Sequence, residues 1–87
     1  MNDSVLKCFS SLPRIMLLTC LSKGKKNVSQ LIKVCQLSQS AVSQHLKKLK
    51  KLSLVKTEKK GKEIYYSLIN KQAAKIAQQL LVFIKKI

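Results

Sequence analysis

Residues 28–35 and 38–51 both carry apolar side chains at helical spacing, and only Gln36 and Leu37 separate them. In the first segment Val28, Leu31, Ile32 and Cys35 fall at i, i+3, i+4 and i+7. In the second, Val42, Leu46 and Leu49 form one stripe. Each segment also opens on a start signal. Asn27 stands three residues before Gln30, a spacing close to a capping box, and Ser38 is an N-cap residue. A two-residue connection after so short a helix forces the pair into a crossed helix-turn-helix.

The outward side of the second helix is unusual. An ordinary solvated face would use Glu and Lys pairs, which favour both helix and solubility. Here it carries Gln39, Ser40, Ser43 and Gln44, with His45 on the edge of the apolar stripe. Short, neutral hydrogen-bonding side chains suit the donors and acceptors of a DNA major groove. Ser38 can give its hydroxyl to the cap and its N–H to a phosphate. Lys47 and Lys48 continue along the helix toward a nucleic-acid backbone, and His45 reads as a packed or phosphate-bonded side chain rather than a metal ligand.

Charge points the same way. The formal net charge is +15, from 18 basic residues against 3 acidic ones, Asp3, Glu58 and Glu63. Such an imbalance attracts polyanions: nucleic acid, an anionic membrane surface or acidic protein. Any single lysine is read nearly as well as plainly solvated; as a set, with so few acids beside them, they favour phosphate. Disorder is a poor reading, because apolar residues make up 46% and recur at helical spacing. The longest apolar runs, 15–18 and 80–84, fall far short of the roughly 20 residues a membrane span requires. The N-terminal MNDSVLKCFSS has neither the basic start nor the apolar stretch of a signal peptide, so a cytoplasmic protein with reduced thiols is expected.

The flanks complete one domain over residues 1–87. A short helix over 3–10 puts Val5, Leu6 and Phe9 on one side. Ser11, as N-cap, and Pro13 open a second helix to about Ser22, with Arg14, Leu17, Leu18 and Leu21 on a stripe and Gly24 free to close it in the left-handed conformation. After the helix-turn-helix of 28–51 the period changes. Residues 54–59 and 63–68 read as two strands joined by Lys60-Gly61-Lys62, with Ile64, Tyr66 and Leu68 inward and Tyr65 outward or toward a neighbour. This hairpin, over 54–68, is a wing that places Lys59, Lys60 and Lys62 at its tip. Asn70 caps a last helix whose stripe is Ala73, Ile76, Ala77, Leu80, Ile84 and Ile87, widened by Leu81 and Phe83. That stripe is broader than a terminal helix of a small domain needs, and it reads as an interface. So small a core also favours a partner subunit.

The order α-α-α-α-β-β-α, mainly α with a small β-hairpin, is that of a winged helix-turn-helix. The sequence resembles the ArsR/SmtB family of bacterial transcriptional repressors at Ser38-Gln39-Ser40-Ala41-Val42-Ser43-Gln44-His45-Leu46, at Leu54-Val55 and at Gly61-Lys62-Glu63-Ile64-Tyr65-Tyr66-Ser67-Leu68. Leu12-Pro13-Arg14 resembles the start of the family's second helix, although the family's acidic-proline pair is replaced by Ser11-Leu12. The resemblance implies a homodimer through the first and last helices, 1–12 and 70–87, using Val5, Leu6, Phe9, Ile76, Leu80, Phe83 and Ile84. Two recognition helices would then stand about 34–36 Å apart, matching a near-palindromic site. No arginine lies on the recognition helix or wing, so the commonest guanine contact is missing, and Gln39 and Gln44 predict an A·T-rich operator in double-stranded DNA.

The resemblance also implies that such repressors release DNA when a metal or oxidant arrives. The third-helix metal positions hold Asn27, Val28 and Ser29, and the last helix contains no Asp, Glu, His or Cys, so no metal site and no cofactor are expected. Reactive-sulfur sensors of the family use cysteines near the ends of the second and last helices. Here Cys20 lies close to the first position, the second is occupied by Lys85-Lys86-Ile87, and a thiol switch would need Cys8 as partner to Cys20. Cys35 reads as an inert core thiol. Three function classes stand open: a sequence-specific repressor or anti-repressor, with or without a thiol switch; a weakly specific architectural DNA coater; and a membrane-surface protein using 70–87 as a basic amphipathic helix, which the dimer reading disfavours. An enzyme is not expected, since three acids, one histidine and no Gly-rich loop supply no acid–base pair or phosphate cradle. No small-molecule substrate follows from the sequence.

Overall fold

The computed structural model describes residues 3–86. Its elements run α1 (Asp3–Cys8), α2 (Leu12–Leu21), β1 (Lys26–Asn27), α3 (Val28–Cys35), α4 (Gln39–Lys51), β2 (Val55–Lys60), β3 (Glu63–Leu68) and α5 (Lys71–Lys86). This is a winged helix-turn-helix. Leu17 and Leu18 of α2, Leu31 of α3 and Val42, Leu46 and Leu49 of α4 are fully enclosed in one core. Burying such aliphatic side chains stabilises by about 1.5–3 kcal/mol each.

The local signals that start α3 and α4 act as read. Asn27 Oδ1 accepts from the Gln30 N–H at 2.8 Å, and the Asn27 N–H donates to Gln30 Oε1 at 2.9 Å, a complete capping box. Ser38 Oγ accepts from the Ala41 N–H at 3.1 Å. The intervening turn is sharp because Gln36 takes the left-handed conformation, φ 55°, and donates its N–H to the Ile32 carbonyl at 2.9 Å. A non-glycine residue there carries a steric cost.

Several expectations need correction. The first helix ends at Cys8, not Ser10, because Phe9 and Ser10 fold into a turn. Ser11 precedes α2 without a side-chain cap; its carbonyl accepts from Ile15 instead, at 3.0 Å. Gly24 has a positive φ, 136°, but lies well outside the left-handed helical region, and α2 closes on Ser22. The hairpin starts at Val55 and runs through Lys60, so its connection is only Gly61-Lys62. Gly61 supplies the positive φ, 62°, that the first position of such a two-residue loop requires. Ile64 is 47% exposed rather than inward, since it pairs with Lys59 near the tip, beyond the helices. Tyr66 and Leu68, lower on the strand, do pack on the core.

A third strand was not foreseen. Lys26 and Asn27 pair antiparallel with Tyr66 and Tyr65, giving the order β1-β3-β2. Asn27 thus caps α3, joins the sheet and donates from Nδ2 to Glu63 Oε2 at 2.8 Å. One residue ties the helix-turn-helix to the wing.

The last helix has two apolar faces instead of one stripe. Ala73, Ala74 and Ala77 are buried, and their small side chains let α5 lie closely along α2. Gln78 Nε2 adds a bond to Ser22 Oγ at 2.9 Å. Leu80 and Leu81 are half-buried, while Ile76, Phe83 and Ile84 are turned to solvent. Ile87 lies outside the described residues.

Candidate nucleic-acid interface

The buried stripe of α4 determines what its other sides present. Ser40, Gln44, Lys47 and Lys51 follow one another at i, i+4, i+7 and i+11, directly opposite Val42, Leu46 and Leu49, and all are exposed. Gln39 and Ser43 are exposed along one flank. The other flank carries His45 and Lys48 and faces α2. Ser38 is exposed, but its hydroxyl is engaged as the cap and lies 3.3 Å from Ser40 Oγ. The structure therefore brings Gln39, Ser40, Ser43, Gln44 and Lys47 onto one displayed rod.

Arg14 is the residue that sequence reasoning missed. It is the chain's single arginine, sits on α2 and was assigned to a core stripe. The fold instead carries it across to α4, where its Nε donates to His45 Nδ1 at 3.3 Å. His45 is half-buried, and this bond leaves the imidazole proton on Nε2. Burial holds His45 below its usual proton affinity, and the Arg14 and Lys48 charges push it down further. Arg14, Gln44, His45, Lys47, Lys48 and Lys51 line one open recess beside the displayed face of α4. It is strongly cationic and contains no acid, a setting suited to a phosphodiester oxygen. The signal in the sequence was one of type: a lone arginine among lysines, next to the proline that opens α2.

The wing extends the cationic surface. Lys59, Lys60 and Lys62 are all exposed around the Gly61 turn. They are not equivalent. Lys25 bridges to Glu58 at 3.3 Å and lies 5.9 Å from the centre of the Tyr65 ring. The neighbouring Lys25, as a competing ammonium and as a like charge, pushes the Lys60 ammonium below its usual value. Among the described residues Lys25–Glu58 is the one ion pair, so Lys59 and Lys62 carry charge that no carboxylate offsets.

A second surface lies on α1 and α5. Leu6 is 60% exposed and Phe83 63%, with Ile76 and Ile84 at 44% each. Leu6, Phe9, Ile76 and Leu80 line a shallow apolar groove between the two helices, and Val5 is half-buried nearby. Of the expected interface residues, Leu6, Phe9, Ile76 and Leu80 are thus brought together, with Phe83 beside Ile76 and Leu80.

The cysteine pairing differs from expectation. Cys20 Sγ lies 3.3 Å from Cys35 Sγ, not against Cys8. Cys8 is buried beside Arg14; burial pushes its thiol up, and the guanidinium only partly opposes this. Among the described residues no three His, Cys, Asp or Glu side chains come together as a metal site would require.

Comparison with known proteins gives this geometry its context. The sequence model for bacterial regulatory proteins of the arsR family matches residues 13–57, from the proline that opens α2 to the middle of β2. The chain belongs to the arsR family. It is 33% identical over 78 residues to the HTH-type transcriptional regulator NmtR of Mycobacterium tuberculosis, covering 90% of this chain and 65% of NmtR, so it spans slightly under two-thirds of that relative. It is 38% identical over 80 residues to the transcriptional repressor PagR of Bacillus anthracis, covering 91% of this chain and 80% of PagR. Its fold superimposes on the crystal structure of the transcriptional repressor BigR from Xylella fastidiosa with a TM-score of 0.82 at 30% identity, covering 93% of this chain and 83% of BigR. These relatives are named as a transcriptional regulator and two transcriptional repressors, not as enzymes. No helix among the described residues of the present member is long and apolar enough to cross a membrane.

Proposed function

We propose that this arsR-family chain is a homodimeric, sequence-specific repressor that binds double-stranded DNA in the cytoplasm without a metal site on α3 or α5. The observation that carries the reading is α4 itself: an apolar side fully buried, an opposite side of exposed Ser40, Gln44 and Lys47, and Gln39 and Ser43 exposed on the flank beside it. Gln39 and Gln44 read base edges, adenine above all, and Ser40 and Ser43 bond to whichever base lies within reach. Ser38 directs its N–H at a phosphate. Lys47, Lys48 and the Arg14–His45 pair take backbone oxygens beside the recognition helix, and Lys59, Lys60 and Lys62 take those under the wing.

A second copy of the chain covers the α1–α5 face. Large apolar residues exposed together are characteristic of an interface, and the core of an 87-residue chain leaves little stability to spare. The dimer axis then sets the half-site spacing. PagR and BigR are named as repressors, which supports repression as the sign of regulation.

Selection of bound duplexes from a random pool tests the reading. The expected consensus is A·T-rich and near-palindromic, and Gln39→Ala and Gln44→Ala relax it at separate positions. Equal affinity for every duplex at fixed salt would instead identify an architectural coater.

A further inference from the structure

Two thiols in contact across a helix–helix packing are not needed for the core, since alanine or valine would fill the same space without chemistry. Cys20 lies on the last turn of α2, half-buried, and Cys35 is the final residue of α3 and is buried. Their sulfurs are 3.3 Å apart. A disulfide requires about 2.05 Å, so the two must close by a little over an ångström. From this geometry we infer that Cys20 and Cys35 form an intramolecular disulfide on exposure to a hydroperoxide, and that the bond loosens the grip of α4 on DNA.

The two sulfurs have different roles. Burial and the neighbouring Cys20 thiol push Cys35 up to about 12, so it stays protonated and does not attack first. Cys20 is the more accessible. Its thiolate attacks the distal peroxide oxygen, the O–O bond breaks, and the remaining alkoxide or hydroxide takes up a proton and leaves as alcohol or water. Cys20 is then a sulfenic acid. The adjacent Cys35 sulfur attacks it, the S–O bond breaks, and the departing hydroxide takes the Cys35 proton as water. Two thiols have been oxidised to one disulfide and one peroxide reduced. Cys8, buried against Arg14, stays outside the reaction.

The consequence follows from where Cys35 sits. The next residue, Gln36, holds the strained left-handed turn, and Ser38 caps α4 immediately after it. Drawing the end of α3 toward α2 therefore moves the start of the recognition helix, where Gln39 and Ser40 stand. Losing the equivalent of one glutamine–base pair in each half-site is worth about ten-fold or more in affinity. This part of the inference rests on the DNA-binding reading above; the sulfur chemistry does not.

The test uses the full chain, first reduced and shown to shift a selected duplex. It is then treated with stoichiometric hydrogen peroxide, alkylated, and mapped by mass spectrometry. The expected product has lost two hydrogens, with Cys20 and Cys35 peptides linked and Cys8 alkylated. Its duplex affinity at fixed salt falls about ten-fold or more, and dithiothreitol restores it. Cys20→Ser and Cys35→Ala proteins bind normally when reduced and ignore peroxide. A linkage involving Cys8, or over-oxidised Cys20 with no linkage, overturns the inference. So does a Cys20–Cys35 bond that leaves affinity unchanged. If the reduced chain binds no duplex while the bond forms as described, the failure is that of the DNA-binding reading alone.

Discussion

Replacing Lys59 and Lys62 with glutamine isolates the contribution of the wing. Both side chains are exposed, and neither takes part in the Lys25–Glu58 bridge, which persists in the double variant. Lys60 is left in place because its charge is entangled with that of Lys25. Each phosphate neutralised on B-DNA steepens the dependence of log K on log salt by about 0.9. A dimer loses four wing charges, so the slope should become shallower by about 3.6 if every one meets a phosphate, and by about 1.8 if one lysine per wing does. At about 0.1 M salt the larger figure corresponds to about 4,000-fold in affinity, and it shrinks as salt rises. The assay is fluorescence anisotropy on the selected duplex across a salt series. Gln44→Ala is the control, since it should change sequence preference and leave the slope alone. A double variant with the wild-type slope would show that the wing does not touch the backbone, and the cationic turn would then be no more than a solvated tip.

Three further outcomes follow. His45 is the chain's single histidine and its proton affinity is lowered by burial, then by Arg14 and Lys48, so the unfolded chain binds more protons than the folded one. The stability it contributes is full above about pH 6.5 and is lost as pH falls through the folded value; urea unfolding between about pH 5.5 and 7.5 should show this decline, and His45→Gln should flatten it. Unchanged pH dependence in the variant would exclude the Arg14–His45 arrangement. Gln36→Gly relieves the left-handed turn at φ 55° and should raise the unfolding free energy by up to about 1 kcal/mol, while Gln36→Val lowers it; a destabilised glycine variant would count against strain at that turn. Leu46→Ala, at a position with no exposure, should cost about 2–5 kcal/mol by denaturant titration, and a loss under about 1 kcal/mol would mean α4 is not seated as described.

What the sequence disclosed, and what it withheld, divides by the range of the interaction. Asn27, Gln30 and Ser38 act on backbone groups three residues away, so the starts of α3 and α4 could be read directly. The strand formed by Lys26 and Asn27 could not, because two polar residues carry no periodicity and the strand exists only where Tyr65 and Tyr66 lie beside it. The two-faced nature of α5 was hidden for a related reason. Spacing grouped Ala73 and Ala77 with Ile76, but the choice between them depends on how near α2 approaches, and only alanine fits that approach. The candidate site shows the same division. Gln39, Ser40, Ser43 and Gln44 were legible from one helix, whereas Arg14 against His45 and Cys20 against Cys35 join positions 31 and 15 residues apart.

Charge and dimerisation are linked by the same numbers. In the proposed dimer each copy carries +15, so joining two through the α1–α5 face would bring strongly repelling charges together. Only apolar burial opposes this, and the side chains available for it are large: Leu6, Ile76, Phe83 and Ile84. A duplex laid across both recognition helices adds the missing negative charge. The proposed dimer would therefore be held by two terms when bound to DNA, burial and counter-charge, and by burial alone when free. On the proposed reading, assembly and DNA recognition would reinforce each other, because whatever neutralises the lysines also removes the chief obstacle to pairing. An ordinary acid–base balance on the surface would uncouple them, which gives a physical reason for a chain this small to carry so few carboxylates.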